Sequence, residues 1–377
     1  MQPMQWERLN IKLSTASSSA LEALVHPGSG IARNVRELEF VEPINSAEVE
    51  DRLRMLIAAI PPDRLRDLTC YRPFSTLALQ TVLQSQRKLE ALEVFTDLTT
   101  PGRAGLSDLV PKEHYSRMTS SLPDINAISL YILPNGVPEE LIFEGIKSIS
   151  DNHSKIDDLA LTSISNSRDE GTSLCGILRH AKQLPLFSNL STLALMDLKL
   201  GNIGGKSTWK SLDFSRLSYL QIDESNYIVP FVEALSSYYT IGVGELADLH
   251  IILPYRLEEP RNSVRAIEEL LKVCPKLKSL QLELSRHGPV AKDCILAHQQ
   301  RLRWLMMGTG ESEIHSYLSV TDMTAILRAC VHLKQLAINM PATNLGLITK
   351  LGTSFYPEGE FADMLVSIRP HHASLIR

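Results

Sequence analysis

Two short groups of residues have side chains that could do chemistry, but neither has the spacing that its chemistry requires. Gly204–Thr208 has the Gly-Lys-Ser order of a phosphate-binding loop, yet Leu200 stands where such a loop needs its first glycine, five residues before Gly205. His371 and His372 adjoin near the end of the chain with no further Cys or His at ligand spacing. We therefore predict no nucleotide, cofactor or metal site, and no enzyme.

A six-residue motif of the type L-x-x-L-x-L dominates the sequence and occurs eleven times. Its copies start 24 to 36 residues apart. In a short strand the fourth and sixth positions point to the same side, so they face a shared interior, and the first position turns the chain toward it. Repetition at this period is typical of leucine-rich repeats. The copies span residues 35–40, 65–70, 89–94, 125–130, 156–161, 190–195, 217–222, 246–251, 277–282, 302–307 and 333–338.

Amphipathic stretches between the motifs predict helices. Apolar residues recur at helical spacing within 49–60, 141–149, 264–271 and 320–330. Because a helix is wider than a strand, an array with strands on one side and helices on the other should curve. We therefore predict an α/β fold, a leucine-rich-repeat solenoid: a curved right-handed array of about eleven irregular repeats, with a parallel sheet on the concave face and helices on the convex face.

The turn after the motif departs from the best-known repeats. No Asn recurs after the third hydrophobic position, so a ladder of Asn side chains is absent. Four copies instead carry proline after two intervening residues, at Pro43, Pro73, Pro254 and Pro341. Because proline lacks a backbone donor, we predict that it ends the strand.

The residues between the inward positions should face the concave side of the sheet, where a partner would bind. In the first strands these residues are acidic, and aromatic residues at the seventh position border them. Interfaces favour aromatic anchors beside charge, so we predict that a basic partner segment binds this acidic group. The alternative is a solvated acidic face whose aromatic residues pack on the turn. The candidates are Glu37, Glu39, Asp67 and Glu93, with Tyr71, Phe95 and Tyr131.

A second, more apolar zone is predicted farther along the same face. It is formed by Tyr219, His250, Trp304 and Met306, at the third or fifth position of their motifs. Its aromatic side chains make it the other candidate for partner binding.

Composition limits the classes of partner and compartment. The net charge of −5 argues against nucleic acid, and the lack of a long apolar run argues against a membrane span. The five cysteines form no C-x-x-C pair, and Cys274 and Cys330 each lie three residues before the first leucine of a motif. These two thiols are therefore predicted to pack at helix ends, and the chain to be an intracellular monomer of the cytoplasm or nucleus.

Four segments resemble the leucine-rich-repeat region of fungal F-box-type proteins. These are W-E-R-L-N-I-K-L-S (6–14), residues 26–40, C-P-K-L-K-S-L (274–280) and C-V-H-L-K-Q-L (330–336). In that family an N-terminal F-box docks onto a Skp–cullin ubiquitin ligase, and the repeats hold the substrate. Only 34 residues precede the first motif, and none opens with an L-P-x-E-like sequence. The docking role is therefore carried over to no residue of this chain.

The predicted organisation is an N-terminal capping segment without an F-box (1–34) and a solenoid with an incomplete C-terminal repeat (35–377). The predicted function is a protein–protein interaction scaffold. The resemblance implies a ubiquitin-ligase substrate receptor lacking its F-box, with Skp–cullin components as partners only if an F-box precedes this sequence. The alternative is a repeat-type regulator of an enzyme, such as a GTPase activator, which would project Arg72 or Arg256 from a turn.

Overall fold

The computed structural model of the chain divides into two compact units. The first is Met1–Leu190 with Lys210–Asp213, and the second is Ser191–Trp209 with Phe214–Arg377. The structure describes residues 7–96, 122–132, 139–163, 173–181, 186–201, 209, 212–240, 244–254, 260–284, 288–308 and 318–338, apart from 27, 29, 43, 45 and 75.

In its described residues the first unit alternates six parallel strands with helices, and strands that follow each other in the chain pair with each other. The elements are β1 (Arg8–Ile11), α1 (Ser18–Val25), α2 (Ile31–Asn34), β2 (Glu37–Phe40), α3 (Ala47–Ala59), β3 (Asp67–Phe74), α4 (Thr76–Ser85), β4 (Ala91–Thr96), β5 (Ala127–Ile132), α5 (Glu139–Asn152), β6 (Asp158–Ser163) and α6 (Leu174–Leu178).

The described residues of the second unit repeat this plan with six more strands, again paired in parallel and in chain order. The elements are β7 (Thr192–Met196), β8 (Tyr219–Asp223), α7 (Val229–Tyr239), β9 (Asp248–Ile252), α8 (Pro260–Val273), β10 (Ser279–Glu283), α9 (Lys292–Leu296), β11 (Trp304–Gly308), α10 (Val320–Ala329) and β12 (Gln335–Ile338).

Each of the eleven motifs forms one strand, and every one of these strands begins at the third position of its motif. The register places equivalent positions opposite each other: Leu280 of β10 pairs with Leu249 of β9 and Leu305 of β11. These three side chains are at most 1% exposed. The predicted inward direction of the fourth position is thus confirmed, and alternation with half-buried neighbours leaves the other face of β9 and β10 open to solvent.

All four predicted helical stretches are helices, namely α3, α5, α8 and α10. Their apolar stripes are buried, as shown by Leu53 in α3 and Ile267 in α8, both 0% exposed. Helices α1, α3, α6 and α10 begin after a serine whose hydroxyl accepts a hydrogen bond from the backbone N–H three residues on. This satisfies one of the donors that a helix start leaves unpaired.

The turns after the strands are irregular, and the proline prediction is wrong at Pro73. That residue lies inside β3, whose pairing with β4 shifts between Cys70 and Pro73, so the strand bulges past the proline and continues to Phe74. Pro254 follows the end of β9, as predicted. Pro43 and Pro341 lie outside the described residues.

At the turn after β8, Ser225 stands where an Asn ladder would place its amide, three residues after Ile222. Its buried hydroxyl accepts from the N–H of Leu198 (3.2 Å) and lies 3.2 Å from the carbonyl of Leu195 and 3.1 Å from that of Asp223. One strand per L-x-x-L-x-L motif, joined by helices into parallel ladders, is the predicted α/β leucine-rich-repeat solenoid.

Candidate partner-binding face of the sheet

The open face of the first unit carries two rows of side chains that cross its strands. In the third-position row, Glu37 pairs in register with Arg8 of β1 and Asp67 of β3, and the row continues through Ala91, Ala127 and Asp158. The fifth-position row is Asn10, Glu39, Thr69, Glu93, Ser129 and Ala160. The structure therefore brings Glu37, Glu39, Asp67 and Glu93 together on the adjacent strands β2, β3 and β4.

Arg8 partly neutralises this acidic cluster. Its Nη2 donates to Oε2 of Glu39 at 2.8 Å, and its Nε lies 3.9 Å from Oε2 of Glu37. The hydrogen bond to Glu39 and the attraction of that carboxylate raise the pKa of Arg8. The Arg8 side chain is 67% exposed and the Glu39 side chain only 17%. The exposed guanidinium of Arg8 therefore covers the more buried carboxylate of Glu39.

Asp67 is a half-buried carboxylate of this cluster, and its surroundings change its pKa. Burial raises the pKa of Asp67, the hydroxyl of Thr69 opposes this by donating to Oδ1 at 3.1 Å, and the negative charge of Glu37 adds to the rise. A carboxylate in this environment is stabilised by any cation that approaches it. Asp67 is thus a suitable site for a positive group supplied by a partner.

Glu93 lies two strands from Glu39, with Thr69 between them. At about 4.8 Å per strand, the two residues are separated by roughly 10 Å along the row. The neighbouring positions on β4 and β5 are small, with Ala91 and Ala127 in the third-position row and Ser129 beside Glu93. A partner side chain can therefore approach the carboxylates without meeting bulky neighbours.

A bulge in β3 breaks the register between the residues of the predicted aromatic border. Cys70 pairs with Val94 and Pro73 with Phe95, so Tyr71 and Arg72 form a bulge and Tyr71 does not stand opposite Phe95. Tyr131 pairs with Thr162 of β6. The side chains of Tyr71, Phe95 and Tyr131 lie outside the described residues, and their contact with a partner stays a prediction.

In the second unit, Tyr219 and Trp304 lie in the same third-position row but on β8 and β11. Asp248 and Ser279 separate them, which places them about 14 Å apart at roughly 4.8 Å per strand. The hydroxyl of Tyr219 lies 2.9 Å from Oε1 of Gln221. The two aromatic side chains thus lie on either side of polar residues of β9 and β10.

His250 of β9 lies in the fifth-position row between Gln221 and Gln281. Its Nε2 is buried and makes no hydrogen bond to any described residue. Burial lowers the pKa of His250, and the carboxylate of Asp223 opposes this effect. The imidazole is therefore held as an uncharged, half-buried group at neutral pH. Met306 follows Trp304 on β11 at the next outward position, and both are half-buried.

Arg8 and its strand were missed by sequence reasoning, although a signal was present. W-E-R-L-N-I (6–11) fits the motif with Trp in the first position and begins 29 residues before the copy at 35–40. The strand β1 aligns its Leu9 with Leu38 and its Ile11 with Phe40. A pattern that admits tryptophan at the first position would have found this strand and placed Arg8 beside Glu37.

The cysteines are structural, as predicted for two of them. Cys274 and Cys330 are 1% and 0% exposed, and burial raises their pKa to about 12 and about 11. Both thiols are therefore protonated at neutral pH and packed away from reagents. No cluster of three or more metal-ligating side chains occurs in the part of the chain that the structure describes. Gly204–Thr208, Arg256, His371 and His372, and the side chain of Arg72, lie outside it.

Comparison with known proteins gives structural likenesses but no family. No family model matches the chain, and no curated protein sequence does. Among solved structures, it is similar to the leucine-rich repeat-containing protein LegL7 from Legionella pneumophila, with 14% identity and a TM-score of 0.45. The likeness covers 85% of this chain and 97% of that one. The fold assignment rests on the register and burial described above.

None of the helices in the described ranges is long and apolar enough to cross a membrane.

Proposed function

We propose that the chain is a protein–protein interaction scaffold that binds its partner on the open face of the sheet. Parallel sheets in most proteins are covered on both faces. In both units of this chain, fully buried strand positions alternate with positions that keep part of their surface in contact with solvent. This uncovered parallel face is the observation that supports a binding function.

Within that face we propose that the acidic cluster, defined as Glu37, Glu39, Asp67 and Glu93, binds a basic segment of the partner. Arg8 supports this assignment, because its guanidinium already bonds Glu39 at 2.8 Å and lies 3.9 Å from Glu37. A partner Arg or Lys would make the equivalent contact at Asp67 and Glu93, which lie on the two following strands. The aromatic zone of Tyr219, His250 and Trp304 is the second proposed contact, for an apolar part of a partner.

The cluster is tested with a short fluorescent peptide in which lysines and arginines alternate with serines. The triple variant Glu37→Gln, Glu39→Gln, Glu93→Gln should weaken peptide binding on the order of tenfold, since each exposed charge pair contributes roughly 0.2–1 kcal/mol. Arg8→Ala should instead strengthen binding, because it frees Glu39 and Glu37 for the peptide. Fluorescence anisotropy titration measures both effects.

A matched control removes the same amount of charge from exposed helix positions, with Glu48→Gln, Asp51→Gln and Glu269→Gln. This control should leave the affinity within about twofold of the original, since the changed charges lie off the binding face and are screened by salt. Equal weakening by the two triple variants, or an affinity that neither the triple variant nor Arg8→Ala alters, would rule the cluster out as the binding site.

The finer proposal is that the chain serves as the substrate-recognition part of a ubiquitin ligase. Its support is the resemblance of residues 6–14, 26–40, 274–280 and 330–336 to the repeat region of fungal F-box-type proteins. Affinity capture of a purified Skp-type adaptor by the immobilised chain tests the docking role directly. Retention of the adaptor would support it, and an adaptor recovered only in the flow-through would remove it for this chain.

A further inference from the structure

A row of three cations crosses the strand starts at β10, β11 and β12. Lys278, Arg303 and Lys334 each occupy the second position of their motif, directly before the strand, and all three are exposed. The N–H of Arg303 donates to the carbonyl of Lys278 at 2.7 Å, and the N–H of Lys334 donates to that of Arg303 at 2.7 Å. The three residues therefore sit on consecutive rungs of one ladder, about 4.8 Å apart. We call them the cationic row.

At the same motif position in the first unit, both cations have a carboxylate partner. Arg36 is paired with Glu7 of the preceding rung at 3.4 Å, and Arg66 is paired with Glu90 of the following rung at 2.9 Å. Charges on neighbouring rungs attract when they differ in sign and repel when they agree. The cationic row lacks such carboxylate partners at its own motif position, since three positive residues follow one another.

Internal pairing does not neutralise the row. Arg303 and Lys334 make no ion pair with any residue that the structure describes. Lys278 is attracted to the carboxylate of Asp248. That carboxylate is half-buried and also accepts a hydrogen bond from the side chain of Ser279. That carboxylate lies beyond one end of the row and separates none of its members. The repulsion between neighbouring cations therefore persists in the free protein.

Of the residues just before the first motif position, Arg301 adds to the positive charge. Lys276 is paired with Glu245 at 2.5 Å. Arg301 donates to the carbonyl of Pro275 at 2.7 Å and makes no ion pair with any residue in the described ranges. Arg301 therefore adds a second positive charge at the middle rung of the row.

Apolar surface lies beside the row. Trp304 directly follows Arg303 and is half-buried on the open face, and Val331, three residues before Lys334, is 49% exposed. Tryptophan and arginine are the side chains most enriched among residues that dominate binding energy. Charge next to an apolar anchor is an arrangement suited to a polypeptide partner.

We infer that the cationic row of Lys278, Arg303 and Lys334 is a second interaction surface, which binds an acidic segment of a partner protein. Its three charges span two inter-strand spacings, roughly 10 Å, which suits a few carboxylates of a peptide. A typical nucleic-acid complex makes about 6–10 phosphate contacts, which is more than three charges can supply. The net charge of −5 of the whole chain opposes nucleic acid as well. This inference is independent of the acidic cluster, since it uses another unit, another motif position and a partner of opposite charge.

The test uses a short fluorescent peptide in which glutamates alternate with serines around one central phenylalanine. The triple variant K278E/R303E/K334E should weaken binding of this peptide by at least about tenfold, because three attractions become three repulsions. Binding by the unaltered chain should also weaken as salt is raised. A peptide with Gln in place of every Glu should bind poorly to both proteins.

The matched control is the triple variant K12E/R33E/R265E, which changes the net charge equally at exposed positions off the row. It should bind the acidic peptide nearly as well as the unaltered chain. A loss equal to that of the row variant would overturn the inference. So would tighter binding of a single-stranded oligonucleotide of the same charge, or self-association of the chain that the row variant abolishes.

The single variant Arg303→Glu distinguishes lost binding from lost folding. It places a carboxylate between two lysines, so that both neighbouring contacts change from repulsion to attraction. Its thermal unfolding midpoint should therefore rise while its affinity for the acidic peptide falls. A lowered midpoint together with lowered affinity would assign the row a structural role and refute the inference.

Discussion

At the scale of single residues, the environment of a charge on the sheet surface depends on which side chain occupies the next rung. Glu39 bonds Arg8, whereas Asp67 has Thr69 and the like charge of Glu37 beside it. Both are outward-facing acidic residues in the sequence, and burial raises the pKa of Asp67. Asp67 therefore destabilises the free protein at neutral pH and is stabilised by a cation that approaches it.

Asp67→Asn should raise the stability of the free chain at neutral pH by less than about 1 kcal/mol, since the side chain is only half-buried and water screens it. The gain should shrink as pH falls through the raised pKa of Asp67 toward its ordinary value of 3.8, because the carboxyl is then neutral in both folded and unfolded states. Urea unfolding of both proteins at several pH values measures this difference. A gain that grows on acidification would contradict the assigned direction.

At the scale of elements, the strands are uniform and the turns after them differ. Every motif strand starts at its third position, but β3 bulges past Pro73 and the turn after β8 depends on the hydroxyl of Ser225. The strand is set by alternating burial, whereas each turn must satisfy its own backbone groups. Turn residues therefore act individually, even in a repeat protein.

Ser225→Ala should lower the free energy of unfolding by about 1–3 kcal/mol, because it leaves the buried N–H of Leu198 without its acceptor. The control is Ser237→Ala, which removes an exposed hydroxyl that donates to the carbonyl of Glu233 within a helix. Its effect should stay within about 0.5 kcal/mol. Chemical denaturation compares the two variants, and equal losses would show that the buried turn contact is not specific.

At the scale of the whole molecule, each repeat has only its neighbours to pack against. Leu280 of β10 is fully buried and lies in register between Leu249 and Leu305. The stability of such an array is approximately a sum over repeats and their interfaces. Damage to one repeat should therefore spread to adjacent strands and weaken with distance along the chain.

Leu280→Ala should cost about 2–5 kcal/mol through lost burial and the cavity left behind. Amide hydrogen exchange should accelerate in β9, β10 and β11, while β2 and β3 in the first unit keep their rates. Gln281→Ala, on the outward side of the same strand, should leave all of these rates nearly unchanged. Acceleration of equal size in both units would show that the chain unfolds as one cooperative body.

The sequence by itself determined the eleven motif strands, their inward leucines and four of the helices. These features follow from the local alternation of apolar and polar residues, because that alternation reports which side of an element is buried. It also determined that Glu37, Glu39, Asp67 and Glu93 would share one face. It did not predict β1, since a tryptophan stands at the first position of W-E-R-L-N-I.

Tertiary structure alone decided which charges meet. The pairing of Arg8 with Glu39, the bulge that displaces Tyr71 from Phe95, and the alignment of Lys278, Arg303 and Lys334 all depend on the register between strands. Register brings together residues that lie 25 to 31 positions apart in the sequence, where no local periodicity connects them. The leucines therefore specify the scaffold, and the stacking of one rung on the next specifies its binding surfaces.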